Sequence, residues 1–328
     1  MRIHPSPSGD SLLIAERMSM PSQEPSPHLK AFAMLGLVMF FWAGNSIIGR
    51  AFHEDIPPFT LAFVRWTCAS LLLLPFAARS VWNDRAALLS GWKMVLLLGV
   101  IGIATFNGVL YMGLGYTTAS NALLLQAAIP ALVALFDRII FGTRPDPRQA
   151  AGVAVSILGV VAIVFQGDPH AALRLHFGLG DALVMTAVVA WALYTVLLRL
   201  RPVTAPESFV AVTFWVGVVA MAPLAAMEWM QGKHINWSWG TVGAFAYVSI
   251  LPSLVSYFIY NWATGKVGPA RAGQAITLMP LFGALLSALI LGEKLYSYHW
   301  VGMALILAGI VVSALALRPK GSAGAARD

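Results

Sequence analysis

Ten long apolar runs, separated by short polar connectors, extend along the chain between residues 31 and 317. Each run holds about 20 mainly apolar residues, the length that an α-helix needs to cross the hydrocarbon core of a bilayer. The runs are continuous, whereas the strands of a membrane barrel would show short segments of alternating polarity. The pattern therefore predicts an all-α integral membrane protein with ten transmembrane helices. The predicted spans are residues 31–51, 59–78, 93–113, 119–141, 148–166, 180–200, 207–227, 241–263, 270–292 and 298–317.

The composition of the chain supports lipid as its main solvent. Of its 328 residues, 59% are hydrophobic and 11% are charged, whereas a soluble domain has about 25% charged residues. The net charge of +7 does not predict a nucleic-acid partner, because the basic residues lie in the short connectors between apolar runs. The single cysteine, Cys68, lies inside an apolar run, so neither an internal disulfide nor a metal site on paired thiols is expected. No metal and no cofactor is predicted.

The distribution of Lys and Arg predicts the orientation of the chain. Sixteen of the 21 residues lie in the tails and connectors on the side of the N-terminus, four lie on the other side, and Arg65 lies within a span. Because such an excess marks the cytoplasmic side, we expect a multi-pass protein of the cell inner (plasma) membrane with both termini in the cytoplasm. Residues 1–29, rich in proline and serine, are predicted to form a disordered cytoplasmic tail, and residues 318–328 a second tail.

The second half of the chain repeats the first. Residues 115–163 align with the chain 150 positions later, and the alignment superposes Pro130 on Pro280. The earlier spans align at an offset of 149, which superposes Trp42 on Trp191. The predicted repeats therefore differ by one inserted residue.

Each repeat contains five predicted spans, and the repeats cover residues 30–167 and 178–317. Because five is odd, the second repeat must enter the membrane in the opposite orientation. Inverted repeats of this kind allow one site to face either side of the membrane in turn. The expected architecture is two inverted five-helix repeats.

Four short motifs lie at characteristic places in these repeats. They are Trp-Ala-Gly-Asn at residues 42–45, Phe-Val-Arg at 63–65, Tyr-x-x-Leu-Gly-Tyr-Thr-Thr-Ala-Ser at 111–120 and Gly-Glu-Lys at 292–294. Together they resemble the drug/metabolite transporter (DMT) superfamily, EamA type, over residues 31–317. The resemblance implies a ten-helix bundle that moves small organic metabolites, most often outward. In one departure, the Gly-Glu pair that the family carries after its fourth span is Gly142-Thr143 here.

Polar and aromatic residues inside the predicted spans are the candidates for a substrate pathway, because polar groups at membrane depth usually face the bundle interior or a water-filled cavity. In the first span, Trp42, Asn45 and Ser46 share one helix face. Pro130 and Pro280 each remove a backbone hydrogen bond and free a carbonyl group near mid-span. The predicted substrate-binding residues are Trp42, Asn45, Ser46, Arg65, Asn107, Tyr111, Gln126, Pro130, Trp191, Tyr194, Ser256, Tyr260, Gln274 and Pro280.

Each of these residues also has a structural interpretation. Hydrogen bonds between transmembrane helices contribute about 0.6 kcal/mol each, and the prolines could simply kink their helices for packing. Arg65 could bind a substrate carboxylate through two parallel hydrogen bonds, or it could donate to helix carbonyls and stabilise the outer half of the bundle. Its counterpart in the second repeat is Phe214. Both interpretations of Arg65 stay open on sequence alone.

The sequence predicts a secondary transporter rather than an enzyme. It contains neither His-Glu-x-x-His nor the phosphate-binding loop Gly-x-x-x-x-Gly-Lys-Ser/Thr, and its seven histidines lie in tails, connectors or span ends. No catalytic residue is predicted. The mostly uncharged, aromatic candidate lining suits an amino acid or a related zwitterionic or weakly polar solute. We expect this solute to be moved by alternating access, with export as the expected direction.

Two other functions stay open: a membrane scaffold or receptor without transport, and an intramembrane enzyme. A small-molecule substrate and the lipid bilayer are the expected partners, and a homodimer is left open. Substrate identity and the coupling ion are not encoded in any motif of the chain.

Overall fold

The computed structural model describes residues 27–117, 119–143, 146–165, 178–291 and 296–315. Across these ranges the chain forms helices joined by short turns, with no strand. Most of the predicted N-terminal tail, the whole predicted C-terminal tail and the Gly-Glu-Lys motif at 292–294 lie outside the described residues. The first helix begins at Pro27, so the last three residues of the predicted N-terminal tail are helical.

Ten helical segments follow one another along the described chain. They are α1 (Pro27–Ala51), α2 (Pro58–Ser90), α3 (Trp92–Tyr116), α4 in two parts (α4a, Ala119–Gln126; α4b, Ile129–Phe141), α5 (Pro147–Val164), α6 (Leu179–Leu197), α7 (Pro206–Met230), α8 (Trp239–Val267), α9 in two parts (α9a, Pro269–Ala275; α9b, Leu278–Leu291) and α10 (Ser297–Leu315). Six of them, α1, α2, α3, α6, α7 and α8, are long and apolar enough to cross a membrane by length and composition. The all-helical prediction is confirmed for the described residues, and each predicted span overlaps one segment.

Along α2, the distribution of side chains is the reverse of that in a soluble protein. Leu71, Leu74 and Phe76 are exposed, and Phe76 exposes 78% of its surface, whereas Thr60 and Arg65 are buried. An exposed apolar face and a buried polar face are stable only where the surrounding solvent is apolar. This surface supports a position within a bilayer.

Helix α2 is longer than its predicted span, which ends at residue 78. The helix continues to Ser90 and stops before Gly91. Hydropathy reports which residues prefer lipid, whereas a helix ends where a residue such as glycine makes its continuation unfavourable. The extension also packs on α7, where the Ser80 hydroxyl donates to the Glu207 carboxylate at 2.8 Å. The predicted connector after this span is therefore largely helical.

The two repeats share their departures from regular α-helix. Helix α3 contains a π-helical segment at Gly99–Thr105, and α8 contains one at Ile250–Val255; these are equivalent positions at the offset of 150. Helices α4 and α9 are both interrupted shortly before the equivalent residues Pro130 and Pro280. Proline has no N–H to donate and disfavours helical geometry in the residue before it. The sequence repeat is therefore also a repeat of local structure.

Helices α2 and α7, which are equivalent in the repeat, pack against each other and run antiparallel. The Glu228 carboxylate near the end of α7 accepts from the amide of Thr60 at the start of α2, at 2.7 Å. Glu207, at the start of α7, instead contacts Ser80 in the later part of α2. Two equivalent helices in this arrangement are related by a two-fold axis perpendicular to both.

Helices α5 and α10 form the second equivalent pair, and small residues let them approach closely. The Ser156 hydroxyl donates to the carbonyl of Ile306 at 3.3 Å. A Cβ atom at Gly159 would lie 2.6 Å from the carbonyl oxygen of Gly302. No side chain fits at such a distance, so glycine permits the backbone contact that sets the separation of these helices.

Substitution of Gly159 by alanine is expected to lower the stability of the protein. The added methyl group would press on the α10 backbone, and overpacking of this kind destabilises a fold by about 1–3 kcal/mol. The measurement is thermal unfolding of the detergent-solubilised protein. The matched control is Gly36→Ala on α1, where an added Cβ meets nothing within 4 Å. Equal melting temperatures for the two variants would contradict the close contact between α5 and α10.

Candidate functional site

A buried arginine lies at the centre of the polar interior. Arg65 on α2 is 1% exposed. Its Nη1 donates to Oδ1 of Asn45 at 3.1 Å, to Oδ1 of Asn107 at 2.9 Å and to the Tyr111 hydroxyl at 2.5 Å. Its Nε donates to the hydroxyl of Ser253. Because these partners belong to α1, α3 and α8, one guanidinium joins four helices.

The π segment of α3 orients Asn107, a partner of Arg65 that lies just after this segment. A π turn shifts the backbone hydrogen bonds by one residue and makes carbonyl groups available to side chains. The Ile103 carbonyl accepts from Nδ2 of Asn107 at 2.9 Å, and the Gly102 carbonyl accepts from the Tyr257 hydroxyl at 2.8 Å. The side chains of the site are thus oriented by an irregular backbone.

The π segment of α8 acts in the same way, and a proline explains it. Pro252 has no N–H to donate to the Val248 carbonyl, which accepts instead from the Ser253 hydroxyl at 2.6 Å. The Pro252 carbonyl accepts from Nε1 of Trp42 at 2.9 Å. Gly102 and Pro252 are equivalent at the offset of 150, so each repeat offers the same carbonyl to an aromatic side chain of the other.

An aromatic cluster lies beside the Arg65 site. Trp42 and Trp191, which are equivalent in the repeat, contact edge to face with ring centroids 4.9 Å apart. Tyr260 lies 5.1 Å from Trp42 and 5.3 Å from Trp191, and Tyr194 lies 5.0 Å from Trp191. All four side chains are buried. Equivalent residues touch only near the axis that relates them, so this cluster marks the centre of the bundle.

Two vestibules open at opposite ends of the bundle. The first has a volume of about 610 Å³, and Tyr111 and Gly115 are among its lining residues. The second has a volume of about 570 Å³, and Thr195 and Gly265 are among its lining residues. Helix α7 begins beside the second vestibule and ends at the first. Because Gly115 and Gly265 are equivalent at the offset of 150, the vestibules are related by the same repeat as the helices.

A small cavity lies between the vestibules. Its volume is about 10 Å³, and a cavity needs about 10–15 Å³ to hold one water molecule. It is lined by Trp42, Asn45, Ser46, Arg65, Phe106, Asn107, Leu110, Gln126, Tyr257 and Met279. The side chains of Asn45, Arg65 and Asn107 are also buried, so the polar centre is closed to solvent in this structure.

Two equivalent tyrosine–asparagine hydrogen bonds lie on either side of this centre. In the first Tyr–Asn pair, the Tyr111 hydroxyl donates to Oδ1 of Asn45 at 2.7 Å beside the first vestibule. In the second Tyr–Asn pair, the Tyr194 hydroxyl donates to Oδ1 of Asn261 at 2.9 Å. Asn45 is equivalent to Tyr194 and Tyr111 to Asn261, so the phenol and the amide have changed places between repeats. Arg65 bonds to the first pair.

The structure brings most of the predicted substrate-binding residues together. One group lines the central cavity or bonds to Arg65, and a second group belongs to the aromatic cluster. The first group is Trp42, Asn45, Ser46, Arg65, Asn107, Tyr111 and Gln126. The second group is Trp191, Tyr194 and Tyr260.

Four predicted residues lie away from the centre. The Ser256 hydroxyl donates to a carbonyl of its own helix at 2.8 Å. Nε2 of Gln274 donates to the carbonyl of Gly309 on α10 at 3.1 Å, a bond between helices. Pro130 and Pro280 are buried next to the helix breaks. None of these residues lines the small cavity.

Two polar residues of the centre are absent from the predicted set, as are the apolar lining residues Phe106, Leu110 and Met279. Ser253 accepts from Arg65, and Tyr257 lines the cavity and contacts Asn107. Both lie on the stripe of serines and tyrosines along α8, which was the available signal. Regular α-helical spacing places Ser253 and Ser256 on one face, so it does not distinguish them, and the π segment before Ser256 changes which residues face inward.

A buried carboxylate of the first vestibule is also absent from the predicted set. Glu228 is 5% exposed and accepts from the amides of Phe59 at 3.1 Å and Thr60 at 2.7 Å, and from the Thr60 hydroxyl at 2.9 Å. The start of a helix carries unpaired N–H groups and a partial positive charge, which a carboxylate satisfies. The sequence signal was an acid directly after an apolar run.

The arrangement offers one cation, amide and phenol groups, and aromatic faces. Among the residues that the structure describes, no three His, Cys, Asp or Glu side chains group together as ligands for a metal ion. The groups present at the centre can bind a solute through charge, hydrogen bonds and aromatic contact.

The chain has relatives among known proteins. The sequence profile of the EamA-like transporter family matches residues 29–165 and again residues 178–315. An uncharacterized transporter of Archaeoglobus fulgidus is 30% identical over 87% of this chain and 97% of its own length. A probable amino-acid metabolite efflux pump of Escherichia coli is 23% identical over 86% of this chain and 94% of its own length. A crystal structure with 19% sequence identity shares the fold, with a TM-score of 0.68 over 88% of this chain and 98% of that chain.

Replacement of Glu228 by glutamine is expected to destabilise the junction of α7 and α2. The amide would present N–H groups where α2 needs acceptors, and the loss of a charged acceptor costs about 1–3 kcal/mol. The measurement is the melting temperature of the solubilised protein. The control is Glu207→Gln, at a half-buried carboxylate that accepts from a single hydroxyl, that of Ser80. A melting temperature for Glu228→Gln no lower than that of this control would contradict the capping role.

Proposed function

Because the chain belongs to the EamA-like transporter family, we propose that it is a secondary transporter that moves a small organic metabolite by alternating access. Its relatives are named as transporters, and the protein is a membrane transporter rather than an enzyme. The proposed location is the cell inner (plasma) membrane with both termini in the cytoplasm, and the proposed direction is export. The proposed architecture is ten spanning helices in two inverted five-helix repeats, residues 30–167 and 178–317.

The observation that carries this proposal is the pair of equivalent vestibules on opposite sides of one closed polar centre. Alternating access needs one site and two routes that open in turn. A two-fold axis perpendicular to spanning helices lies in the membrane plane, so the antiparallel pairing of α2 with α7 supports an inverted repeat. In an inverted repeat, the axis that relates the two five-helix units also relates the two routes.

The positions of basic residues support placing the second vestibule on the cytoplasmic side. Arg199 and Arg201 line it, and the connectors at this end carry most of the Lys and Arg residues. The first vestibule, lined in part by Glu54 and Glu228, then faces the outside. In this assignment α1 runs outward and α6 runs inward.

We assign the closure of each route to one Tyr–Asn pair. The first pair closes the centre toward the outside, and the second pair closes it toward the cytoplasm. Opening a route exchanges such a bond for bonds to water, and one hydrogen bond contributes about 0.5–1.5 kcal/mol. The cytoplasmic closure is reinforced by an ion pair between Arg199 and Asp137 of α4b at 2.7 Å. These contributions are small enough for both routes to open thermally.

The proposed substrate is an amino acid or a related zwitterionic or weakly polar solute. Relatives in Escherichia coli and Salmonella typhimurium are named probable amino-acid metabolite efflux pumps, which supports this class. We propose that the residues around Arg65 and in the aromatic cluster contact the solute. In this proposal four of the predicted residues do not contact the solute and instead shape or join their helices: Ser256, Gln274, Pro130 and Pro280.

Transport by the purified protein in proteoliposomes tests the proposal. We expect exchange of at least one solute from a broad metabolite set, and resistance of an overexpressing strain to a toxic analogue of the same class. Asn45→Ala should reduce the flux by about 10-fold, because it removes a bond to a charged group at the centre, with unchanged protein in the membrane. The control is Asn83→Ala, at an exposed position on α2. An absence of flux for every solute, with folded protein, would overturn transport in favour of a receptor or scaffold.

The substitutions Tyr194→Phe and Tyr111→Phe are expected to open the centre toward opposite sides of the membrane. Tyr194→Phe should increase labelling from the cytoplasmic side of a cysteine placed at Ser46 in a Cys68→Ser background, and Tyr111→Phe should increase its labelling from the outside. A loss of about 1 kcal/mol in either closure changes the population of the open form about fivefold. The control is Tyr247→Phe, whose hydroxyl bonds to the Phe41 carbonyl. Labelling from the same side in both variants would refute the assignment of the pairs.

A further inference from the structure

Among the residues that the structure describes, none is a counter-ion to the charge of Arg65 in the closed structure. All its hydrogen-bond partners are neutral side chains. Within the described ranges, ion pairs join His53 to Glu54 and Arg199 to Asp137, and none includes Arg65. A guanidinium stays protonated in proteins, and a buried charge without a partner of opposite sign is strongly unfavourable. Charges retained at membrane depth usually serve binding or transport.

The packing of α2 on α7 does not require this charge. The equivalent position on α7 holds Phe214, which is fully buried and lies 4.6 Å from Trp66 between ring centroids. The second repeat therefore fills the position equivalent to Arg65 with an apolar residue that packs between α7 and α2. A purely structural arginine would be replaceable in the same way, so its charge needs another explanation.

The chemistry of the cavity selects a single carboxylate as the missing partner. The planar guanidinium matches the two oxygens of a carboxylate, and it is held 4.6 Å over the ring of Trp66. Arg65 is the one charged side chain among the residues described as lining the cavity. One carboxylate pairs with the one guanidinium, whereas a dianionic phosphate would leave its second negative charge without a cationic partner.

We propose that Arg65 binds the carboxylate of the substrate and that the amide oxygens of Asn45 and Asn107 bind its ammonium group, so that the substrates are α-amino acids. This assignment rests on the proposed transport function. In the closed structure both amide oxygens accept from Nη1 of Arg65. When a carboxylate takes over the guanidinium, these oxygens are released to accept from an ammonium group on the neighbouring carbon.

The rest of the cavity defines a preference for the amino-acid side chain. Trp42, Phe106, Leu110 and Met279 line it, and these groups favour an apolar or aromatic side chain over a charged one. The cavity of about 10 Å³ must enlarge to admit the solute. Tyr111 bonds to both Arg65 and Asn45, so movement of Arg65 toward a carboxylate also weakens the first Tyr–Asn pair.

Binding of matched acids and amides tests the role of the carboxylate. The purified full-length protein is titrated with the proteinogenic L-amino acids, with their amides and with the amines that lack the carboxyl group, and binding is followed by calorimetry. For each acid that binds, the amide and the amine should bind about 10- to 100-fold more weakly, since they lose a charge-assisted bidentate contact. Equal affinity of an acid and its amide, or no binding by any acid, would overturn the assignment.

A carboxylate introduced beside Arg65 tests the same role in a variant that is expected to stay folded. Asn45→Asp places an acid 3.1 Å from Nη1 of Arg65, so the arginine is neutralised within the protein. The melting temperature should stay equal or rise, while the affinity for acids falls about 10-fold or more. The control is Arg50→Gln, which removes a bond to the Leu114 carbonyl at the helix end and should bind acids as the wild type does. Wild-type affinity for acids in Asn45→Asp would assign Arg65 to structure.

Exchange flux separates this inference from the function on which it rests. Proteoliposomes are loaded with the acid that binds best and challenged with the same acid or with its amide. Flux of the acid alone supports both proposals. Equal flux of acid and amide leaves the transport function standing and refutes the role of Arg65, whereas no flux of any metabolite, with folded protein, refutes the transport function and the inference with it.

Discussion

The need to satisfy every backbone hydrogen bond in an apolar solvent determines this structure. It explains why the described spans are all helical, because helices satisfy their own backbone groups. It also explains where the candidate site lies. The carbonyls of Gly102, Val248 and Pro252 are released by the π segments, and the side chains of Tyr257, Ser253 and Trp42 satisfy them. The irregular backbone supplies free carbonyl groups, and the polar and aromatic side chains of the site supply the donors that these carbonyls need.

The fold was largely predictable because hydropathy reports solvent preference directly. Each predicted span has a helical counterpart, and the repeat found in the sequence recurs in the paired π segments and paired helix breaks. The end of α2 was not predictable in this way. Its polar continuation to Ser90 is stabilised by contacts with α7, such as that between Ser80 and Glu207, and hydropathy carries no information about tertiary contacts.

The site was predictable where helices are regular. Asn45 and Ser46 on α1, and Asn107 and Tyr111 after the π segment of α3, keep the 3.6-residue spacing on which the prediction relied. Spacing placed Ser253 and Ser256 on the same face of α8, and the π segment decides that Ser253 is the one that meets Arg65. Gln274 was expected in the substrate pathway because it is polar. Its amide instead joins α9a to α10. A polar residue in an apolar run has the same appearance whether it faces a cavity or a neighbouring helix.

The exchange of phenol and amide between the two Tyr–Asn pairs has an energetic consequence. With identical pairs, the empty carrier would have two mirror-related resting states of equal free energy. Here Arg65 bonds to one pair only, and Phe214 takes its equivalent position. In the proposed alternating-access cycle the two resting states are therefore unequal, and half-saturation concentrations should differ between the two faces of the membrane. This asymmetry alters rates and occupancies without performing work, so it does not by itself set the net direction of transport.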